Sequence, residues 1–382
     1  MIYLDNAATS YPKAPGVAAA MVNALTQAGG NPGRSGHAMA VAAQGVVDAT
    51  RRRLAALLGA PDPARIAFTC NATDAINQAL FGLLRPSERV ITSRMEHNAL
   101  ARPLAELAGR GVAVDSVAAA PDGSIDLDDL ARALRVSPAR LVAMAHASNV
   151  TGCILPAREV AQLAHRHGAL LLLDAAQTAG VLPLDVAEME IDLLALTGHK
   201  GLLGPPGTGA LYVASGIKLT PSRFGGTGIQ SEDEQMPEEL PERLEAGTLN
   251  SVGLAGLGAA LRFLSERGVA AVRAHEMALT GRLLAGLKDI PGLCIHGIAD
   301  PVRQVATVSI SLRGWEPIDL AAVLDSSFGI AVRAGLHCAP AAHRTLGTFP
   351  SGTVRLSAGC FTTEDEIEQT LRALDQLAQT PT

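Results

Sequence analysis

The chain has 382 residues, a formal net charge of -6, and a composition that is 48% hydrophobic and 18% charged. These values predict a globular protein with a sizeable core and exclude a disordered chain. No basic block indicates a nucleic-acid partner, and no apolar run has the length of a membrane span. The five cysteines form no CxxC pair, so neither a disulfide framework nor a zinc site is expected. Because the N-terminus also lacks the pattern of a signal peptide, we expect a cytoplasmic protein with reduced thiols.

The first two thirds of the chain alternate helical periodicity with short apolar runs. Helices are predicted at Val17–Gln27 and at 41–58. Strands are predicted at 66–68, 89–91, 112–114, 141–144, 170–173, 193–196 and 210–213. Strands that are apolar throughout and separated by helices favour a parallel sheet covered on both faces. In such a sheet the polar residues just past the strand ends form the ligand site.

The sequence pattern changes after residue 220 and again after residue 250. A Gly/Pro-rich and acidic stretch at 221–241 is expected to loop over the site or an interface, and a helix is predicted at about 252–266. Half-buried strands are predicted at 307–311 and 353–357, and a closing helix begins near Thr363 with a capping-box pattern. We therefore predict a large domain at 16–250 and a smaller α+β domain formed by 1–15 and 251–382.

The residues that follow the predicted strands indicate a cofactor site. Residues 70–74, with the sequence Cys-Asn-Ala-Thr-Asp, open a helix with free backbone N–H groups that suit a phosphate, although a plain N-cap is the ordinary alternative. Asp174 follows one strand and Lys200 follows the next. A lysine within reach of an aldehyde and a carboxylate beside a pyridine nitrogen are what pyridoxal 5'-phosphate (PLP) requires. Taken singly, Asp174 reads as a helix cap and Lys200 as a solvated side chain, but together they predict PLP.

Two other patterns carry no site. The loop Gly204–Gly209 is rich in glycine but precedes a strand and lacks the GxGxxG spacing, so it is predicted to shape the backbone rather than to bind a nucleotide. His165 and His167 lie in a helical stretch without partner ligands, and no metal is expected there.

The ordered motifs of the chain resemble the class V aminotransferase family, and within it most closely the Suf-type group of cysteine desulfurases. The resemblance covers essentially the whole chain. It implies the PLP-dependent transferase fold of type I, an α/β fold with a mixed, mostly parallel seven-stranded sheet, helices on both faces and a smaller α+β domain. The motifs that carry it are Tyr3-Leu4-Asp5-Asn6-Ala7-Ala8-Thr9, Gly30-Asn31-Pro32, Glu96-His97, Ser148-Asn149-Val150-Thr151-Gly152, Asp174-Ala175-Ala176-Gln177, Gly198-His199-Lys200, Glu245-Ala246-Gly247-Thr248 and Arg333-Ala334-Gly335-Leu336-His337-Cys338-Ala339.

The resemblance implies cofactor roles for the matching residues. Lys200 would form the Schiff base and act as the proton-transfer base, and Asp174 would pair with the pyridine nitrogen. Gln177 would hydrogen-bond the ring hydroxyl, and His97 would stack on the ring and exchange protons with intermediates. The phosphate would be held by Ala72 through its backbone, Thr73, Thr197, His199 and, from the other subunit of a homodimer, Thr248.

The same resemblance implies substrate roles. Asn149 and Arg355 would bind the carboxylate of the substrate, a task that suits a bidentate guanidinium. Cys338 would be the nucleophile that takes the substrate's sulfur as a persulfide. A thiol is mostly protonated at neutral pH, so neighbours such as Arg333 or His337 would favour its anion, and both are also expected among the substrate-binding residues. Cys70 and Cys153 are expected to be packing residues.

The resulting hypothesis is a cysteine desulfurase that converts L-cysteine to L-alanine and either passes the sulfur to an acceptor protein, as in iron–sulfur cluster assembly, or releases it as sulfide. Leu336 stands where the Suf-type pattern usually has histidine, which leaves the acceptor and the preference for L-cysteine over L-selenocysteine open. The alternatives are a selenocysteine lyase, another PLP-dependent transaminase or epimerase, and a non-catalytic sulfur-trafficking subunit.

Overall fold

The computed structural model describes residues 1–33, 35–230 and 232–379. Its strands are β1 (Ile2–Tyr3), β2 (Ile66–Thr69), β3 (Arg89–Ser93), β4 (Ala113–Val117), β5 (Leu141–Ala145), β6 (Leu170–Asp174), β7 (Leu193–Thr197), β8 (Gly209–Val213), β9 (Leu293–His296), β10 (Thr307–Leu312), β11 (Ile330–Ala331), β12 (Arg333–Gly335) and β13 (Thr353–Ser357). Its α-helices are α1 (Val17–Gln27), α2 (Ala38–Leu57), α3 (Ala72–Leu83), α4 (Asn98–Gly109), α5 (Leu127–Val136), α6 (Ala157–Arg166), α7 (Ser251–Arg267), α8 (Val269–Lys288), α9 (Pro317–Phe328), α10 (Pro340–Thr345) and α11 (Glu364–Ala378). No helix of the described residues is long and apolar enough to cross a bilayer.

A seven-stranded sheet forms the centre of the larger part, with the strand order β2-β8-β7-β6-β5-β3-β4. Every predicted strand of this region is present, and β3 to β7 run parallel as expected. Strand β8 is antiparallel to both of its neighbours, β2 and β7, which makes the sheet mixed. The α/β fold class predicted from the sequence is therefore confirmed.

Helices cover both faces of this sheet because its strands are apolar on both sides. In β6, Leu171 and Leu173 face a core that includes residues of α2, α5, α6 and α7. Leu172, between them, faces the opposite core with residues of α3 and α4. The alternation along one strand supplies apolar side chains to two layers, as a doubly covered sheet requires.

The smaller part is built on a four-stranded antiparallel sheet with the order β12-β13-β10-β9. Its core includes side chains of α8, α9 and α11. Thr363 caps α11 in a capping box with Glu366, as predicted. The N-terminal strand β1 joins this part by pairing in parallel with β11. Helix α7 packs with the larger sheet instead, and the predicted division into 16–250 and a small domain of 1–15 and 251–382 stays a prediction.

A buried ion pair ties the segment after residue 241 to the large sheet. Arg51 on α2 contacts both carboxylate oxygens of Glu245, at 2.7 Å and 2.9 Å. The same guanidinium donates to the carbonyl of Ile66 and lies over the Phe68 ring, while Phe68 N donates to Glu245. The exposed fractions of the two charged side chains are only 8% and 6%. Removing either charge therefore leaves the other uncompensated in the core.

We expect Arg51→Met to lower the free energy of unfolding by about 3–5 kcal/mol, because the Glu245 carboxylate loses its counter-ion. The double variant Arg51→Met with Glu245→Leu is expected to recover much of that loss. Urea-induced unfolding followed by circular dichroism measures both, with Arg52→Met at the exposed neighbouring position as control. Equal losses in the single and double variants would contradict the assigned role of the pair.

Candidate active site

A cleft of about 320 Å³ opens at the carboxyl ends of the parallel strands, where the small antiparallel sheet faces the large one. Most of the residues predicted from the sequence line it, although they come from distant parts of the chain. They are Ala72, Thr73, His97, Asn149, Asp174, Gln177, Thr197, His199, Lys200, Arg333 and Arg355.

Lys200 and Asp174 both line the cleft, and each charge influences the pKa of the other. Asp174 is the last residue of β6 and is buried, and its Oδ1 accepts a hydrogen bond from Ala176 N at 2.9 Å. Burial raises the pKa of Asp174, and the Lys200 charge opposes this shift. Burial lowers the pKa of Lys200 to about 8, again opposed by the partner charge. The lysine can therefore lose its proton near neutral pH.

The turn that carries Lys200 is shaped by the glycine-rich loop before β8. Gly198 N donates to Thr208 O at 2.8 Å, and Gly204 N donates to Gly198 O at 2.8 Å. A Cβ on Gly198 would lie 2.1 Å from the Thr208 hydroxyl, so a larger residue has no room. The loop therefore supports the lysine turn, in agreement with its expected backbone role.

The N-terminus of α3 offers a phosphate-sized cradle. Asn71 caps the helix by accepting from Asp74 N at 2.9 Å, which leaves the N–H groups of Ala72 and Thr73 at the edge of the cleft. Strand β8 approaches this turn so closely that a Cβ on Gly209 would lie 2.7 Å from the Asn71 Cα. Free helix N–H groups and the helix dipole attract an anion.

The N-terminal segment contacts His199 through polar side chains. Its Nδ1 lies 3.0 Å from the Thr9 hydroxyl, and Lys13 Nζ donates to its carbonyl at 2.9 Å. Burial lowers the pKa of His199 to about 4, with the nearby Lys200 adding to the shift. The ring is therefore neutral. The sequence analysis did not identify Lys13, and no spacing pattern connects it with His199.

His97 is the N-cap of α4, and this fixes its tautomer. Its Nδ1 accepts from Ala99 N at 3.0 Å, so the ring proton is on Nε2. Burial, followed by Lys200, lowers the pKa of His97 to about 4. The preceding Glu96 is buried and accepts from Ser93 Oγ and Ala145 N. Glu96 thus connects the His97 turn to the end of β5, a role that the sequence analysis missed.

Arg355 lies in the middle of β13 and is 1% exposed. Its Nη2 is 2.8 Å from Asp5 Oδ1, and its Nη1 donates to Asn149 O at 3.0 Å. Its Nε is buried and has no hydrogen-bond partner among the described residues. Asp5 was quoted only as part of a motif, yet a buried arginine on a strand requires a carboxylate partner.

Cys338 is exposed in the short segment between β12 and α10. Arg333 Nη2 lies 3.4 Å from its sulfur, as the prediction of a cationic neighbour requires. The ring of the adjacent His337 lies elsewhere: it is buried, its Nε2 is 3.0 Å from the Thr353 hydroxyl, and it faces His343. Burial holds the pKa of His337 far below its usual range. His337 makes no contact here that would stabilise a Cys338 anion or bind substrate.

Of the other sequence candidates, Thr248, Cys70 and Cys153 are not part of the cleft lining, and Gln177 lines it with its amide already engaged. Thr248 is exposed on the loop after Glu245. Gln177 lines the cleft, but its amide donates to Ala7 O at 3.1 Å. Cys153 is buried, and burial raises its pKa to about 11, which makes the thiol unreactive. Cys70 is exposed at the α3 turn.

No metal-binding cluster is present in the described part of the chain. His165 Nε2 lies 2.7 Å from Asp192, which also accepts from Leu171 N. His167 Nδ1 lies 3.0 Å from the Leu163 carbonyl. Both histidines have local structural partners.

Comparison with known proteins supports the same assignment. Residues 2–370 match the family described as aminotransferase class-V. A probable cysteine desulfurase of Methanothermobacter thermautotrophicus is 34% identical over 383 residues, covering 99% of this chain and 94% of that protein. A probable cysteine desulfurase from Synechocystis sp. is also 34% identical, over 385 residues that cover 98% of this chain and 90% of that protein.

Solved structures agree with this result. The apo cysteine desulfurase from Thermococcus onnurineus NA1 superposes with a TM-score of 0.93 at 31% identity and covers 99% of this chain and 94% of that one. The cysteine desulfurase CsdA (S-sulfonic acid) from Escherichia coli superposes with a TM-score of 0.87 at 30% identity, and the match covers 98% of this chain and 94% of that one. The finer assignment to the Suf-type group stays a prediction. The chain belongs to the class-V aminotransferase family.

Proposed function

We propose that this protein is a PLP-dependent cysteine desulfurase that converts L-cysteine to L-alanine and transfers the sulfur to Cys338. One arrangement carries the proposal. Lys200, Asp174 and Arg355 line the same cleft. Arg333, another residue of the lining, contacts the exposed thiol of Cys338. The residues suited to a cofactor and to a carboxylate therefore share one cleft, and the thiol lies against a residue of its lining.

The residues of the cleft fit PLP. Asp174 offers a buried carboxylate for a protonated ring nitrogen, and Lys200 offers an amine whose pKa is about 8. The free N–H groups of Ala72 and Thr73 suit the phosphate, joined by Thr197 and His199 from the end of β7. His97 lines the same cleft as a neutral ring. PLP, when bound, withdraws electrons from the bonds of the substrate's α-carbon.

Arg355 and Asn149 are proposed to bind the substrate's carboxylate. Arg355 is anchored by Asp5 and by the Asn149 carbonyl, while its Nε has no partner among the described residues. A guanidinium fixed in this way loses little further freedom on binding and offers a charge-assisted hydrogen bond.

Cys338 is proposed to attack the sulfur of the substrate, and the guanidinium of Arg333 favours the thiolate. A sulfur–sulfur bond forms while the carbon–sulfur bond breaks. The electron pair of the broken bond stays with the carbon, which takes up a proton and becomes the methyl group of alanine. Enzyme thiol and cysteine therefore give enzyme persulfide and alanine, and no external oxidant or reductant is consumed.

Two neighbouring side chains are proposed to move protons. Lys200 has a pKa of about 8, so its Nζ can take up and release a proton near neutral pH. His97 is neutral and carries its proton on Nε2, from which it can donate. Burial lowers the pKa of both groups, and the charges of Arg333 and Arg355 add to each shift.

A homodimer is part of the proposal. Thr248 is exposed and lines no part of its own cleft, which agrees with a contact to the phosphate of a partner subunit. Exposed apolar side chains lie on the α1–α2 region and on the loop at 221–241. The structure describes all residues of this loop except Ser231, and the described residues form no helix or strand. The exposed apolar side chains include Val22, Leu25, Met39, Val41, Phe224 and Ile229. A sulfur-acceptor protein, a cytoplasmic location and a link to iron–sulfur cluster assembly also belong to the proposal.

We expect Cys338→Ala to abolish the release of alanine and sulfide from L-cysteine in the presence of a reductant, because no thiol then receives the sulfur. The visible absorption band of bound PLP is expected to remain. Cys294→Ala, which removes another exposed thiol on β9, is the matched control and should keep full activity. Unchanged alanine production in Cys338→Ala would refute the persulfide mechanism and favour another PLP-dependent lyase.

The lowered pKa of Lys200 predicts how the apoprotein captures PLP. Only the neutral amine attacks an aldehyde, so the rate of capture should rise with pH and level off above about pH 8. Asp174 raises the pKa of Lys200, so Asp174→Asn should shift the midpoint to lower pH. The capture rate is measured by borohydride trapping over a pH series. A midpoint near the usual lysine value would contradict this assignment.

Loss of Lys200 separates the proposal from a non-catalytic sulfur-trafficking role. Lys200→Ala should lose the PLP band and all turnover of L-cysteine. A protein that never shows the band, and whose sulfur transfer is unaffected by this substitution, would be a trafficking subunit. Comparison of L-cysteine with L-selenocysteine as substrates decides the remaining preference.

A further inference from the structure

The backbone of the Cys338 segment is held in an unfavourable conformation. His337 has a φ of 48° and Cys338 a φ of 60°, so two successive residues with side chains lie in the left-handed region. Such a conformation brings Cβ close to the backbone and persists only where surrounding contacts maintain it. The contacts that maintain this segment therefore determine where the Cys338 thiol lies.

Two hydrogen bonds from the large sheet hold the carbonyl groups of these two residues. Asn149 Nδ2 donates to His337 O at 2.7 Å, and Asn98 N donates to Cys338 O at 2.7 Å. Asn149 belongs to the turn after β5, and Asn98 is the first residue of α4. Within the small sheet, the His337 ring adds a contact with the Thr353 hydroxyl. The bond from Asn149 is the one made by a side chain of the cleft.

Asn149 also belongs to the proposed carboxylate site. Its side chain lines the cleft, and its backbone carbonyl accepts from Arg355 Nη1 at 3.0 Å. Since both residues line the cleft and are in contact, we take a carboxylate bound to Arg355 to come within reach of the Asn149 amide. The amide forms a stronger hydrogen bond with a charged carboxylate than with the neutral carbonyl of His337. A bound amino acid thus competes with the Cys338 segment for this amide.

We propose that Asn149 is a positioning residue that couples substrate binding to the position of Cys338: its amide restrains the Cys338 segment until the substrate's carboxylate takes that amide and releases the segment. This inference rests on the proposed function, because it assumes that Arg355 and Asn149 receive a carboxylate. Release lets the left-handed residues relax and makes the thiol mobile when a substrate is present. As long as the Asn149 amide bonds to His337 O, the thiol stays restrained.

The test measures how fast iodoacetamide alkylates Cys338 in the PLP-loaded protein, read by mass spectrometry of the tryptic peptide that contains it. L-alanine supplies a carboxylate without a sulfur atom, and L-alaninamide is the matched ligand without a carboxylate. In the wild type, L-alanine should accelerate alkylation by about five- to tenfold, as the loss of one ordinary hydrogen bond implies. L-alaninamide should not accelerate it.

Two variants separate coupling from simple loosening. Asn149→Ala and Asn149→Asp both lose the donor, so alkylation should be fast without ligand and should no longer respond to L-alanine. Thr353→Val loosens the same segment through the His337 ring, but it should keep the response to L-alanine. The circular dichroism spectrum and the PLP band identify any variant that fails to fold. The response of the wild type to L-alanine and L-alaninamide tests the proposal even if a variant does not fold.

The outcomes are distinguishable from those of the proposed function, since alkylation requires no turnover. A wild type that turns over L-cysteine but shows no acceleration with L-alanine overturns the coupling and leaves the function intact. Slower alkylation with L-alanine also overturns it, because the second amide hydrogen of Asn149 then binds the carboxylate without release. If L-alanine accelerates alkylation of Cys338 in the wild type and this effect is lost only in the Asn149 variants, the coupling is supported, even if the protein acts on another amino acid.

Discussion

The site depends on one electrostatic constraint: an amine and a carboxylate share a desolvated position at the ends of two adjacent parallel strands. Burial alone would neutralise both groups, yet each favours the charged form of the other. Strands β6 and β7 pair in parallel, with Asp174 opposite Ala195, so the ladder of the sheet fixes the frame from which Asp174 and Lys200 project. The sheet itself holds Asp174, whereas Lys200 lies in the turn after β7 that the loop Gly204–Gly209 supports.

Arg355 organises the opposite side of the cleft in a comparable way. It contacts Asp5 and Asn149, and it lies opposite Arg333 in the β12–β13 register. Arg333 in turn contacts the Cys338 sulfur. The groups that would recognise an amino acid and the group that would take its sulfur are thus neighbours in one hydrogen-bonded system. A substitution at any member is therefore expected to affect binding and sulfur transfer together.

The sequence predicted the strands of the large sheet well because most are short apolar runs between polar turns, and it predicted Asp174 and Lys200 because both come within a few residues of the end of such a run. The family resemblance implied a mixed sheet, but the apolar pattern did not show that β8 is the reversed strand, since a strand that is apolar throughout looks the same in either direction. The partnerships Asp5–Arg355 and Arg51–Glu245 join residues far apart in the chain, so no local pattern indicates them. His337 was expected beside the thiol because it precedes Cys338. The left-handed backbone instead accompanies a ring buried against Thr353.

The position of the N-terminal segment has a consequence for synthesis on the ribosome. Asp5 and Ala7 bond to Arg355 and Ser357, partners 350 residues further along the chain. Synthesis proceeds from the N-terminus, so the large sheet has all of its strands once Val213 has emerged. The opposite side of the cleft can form only after β13 has been synthesised. A nascent chain at the intermediate stage therefore already contains the lysine and the turn for a phosphate, but has nowhere to hold the carboxylate of an amino acid.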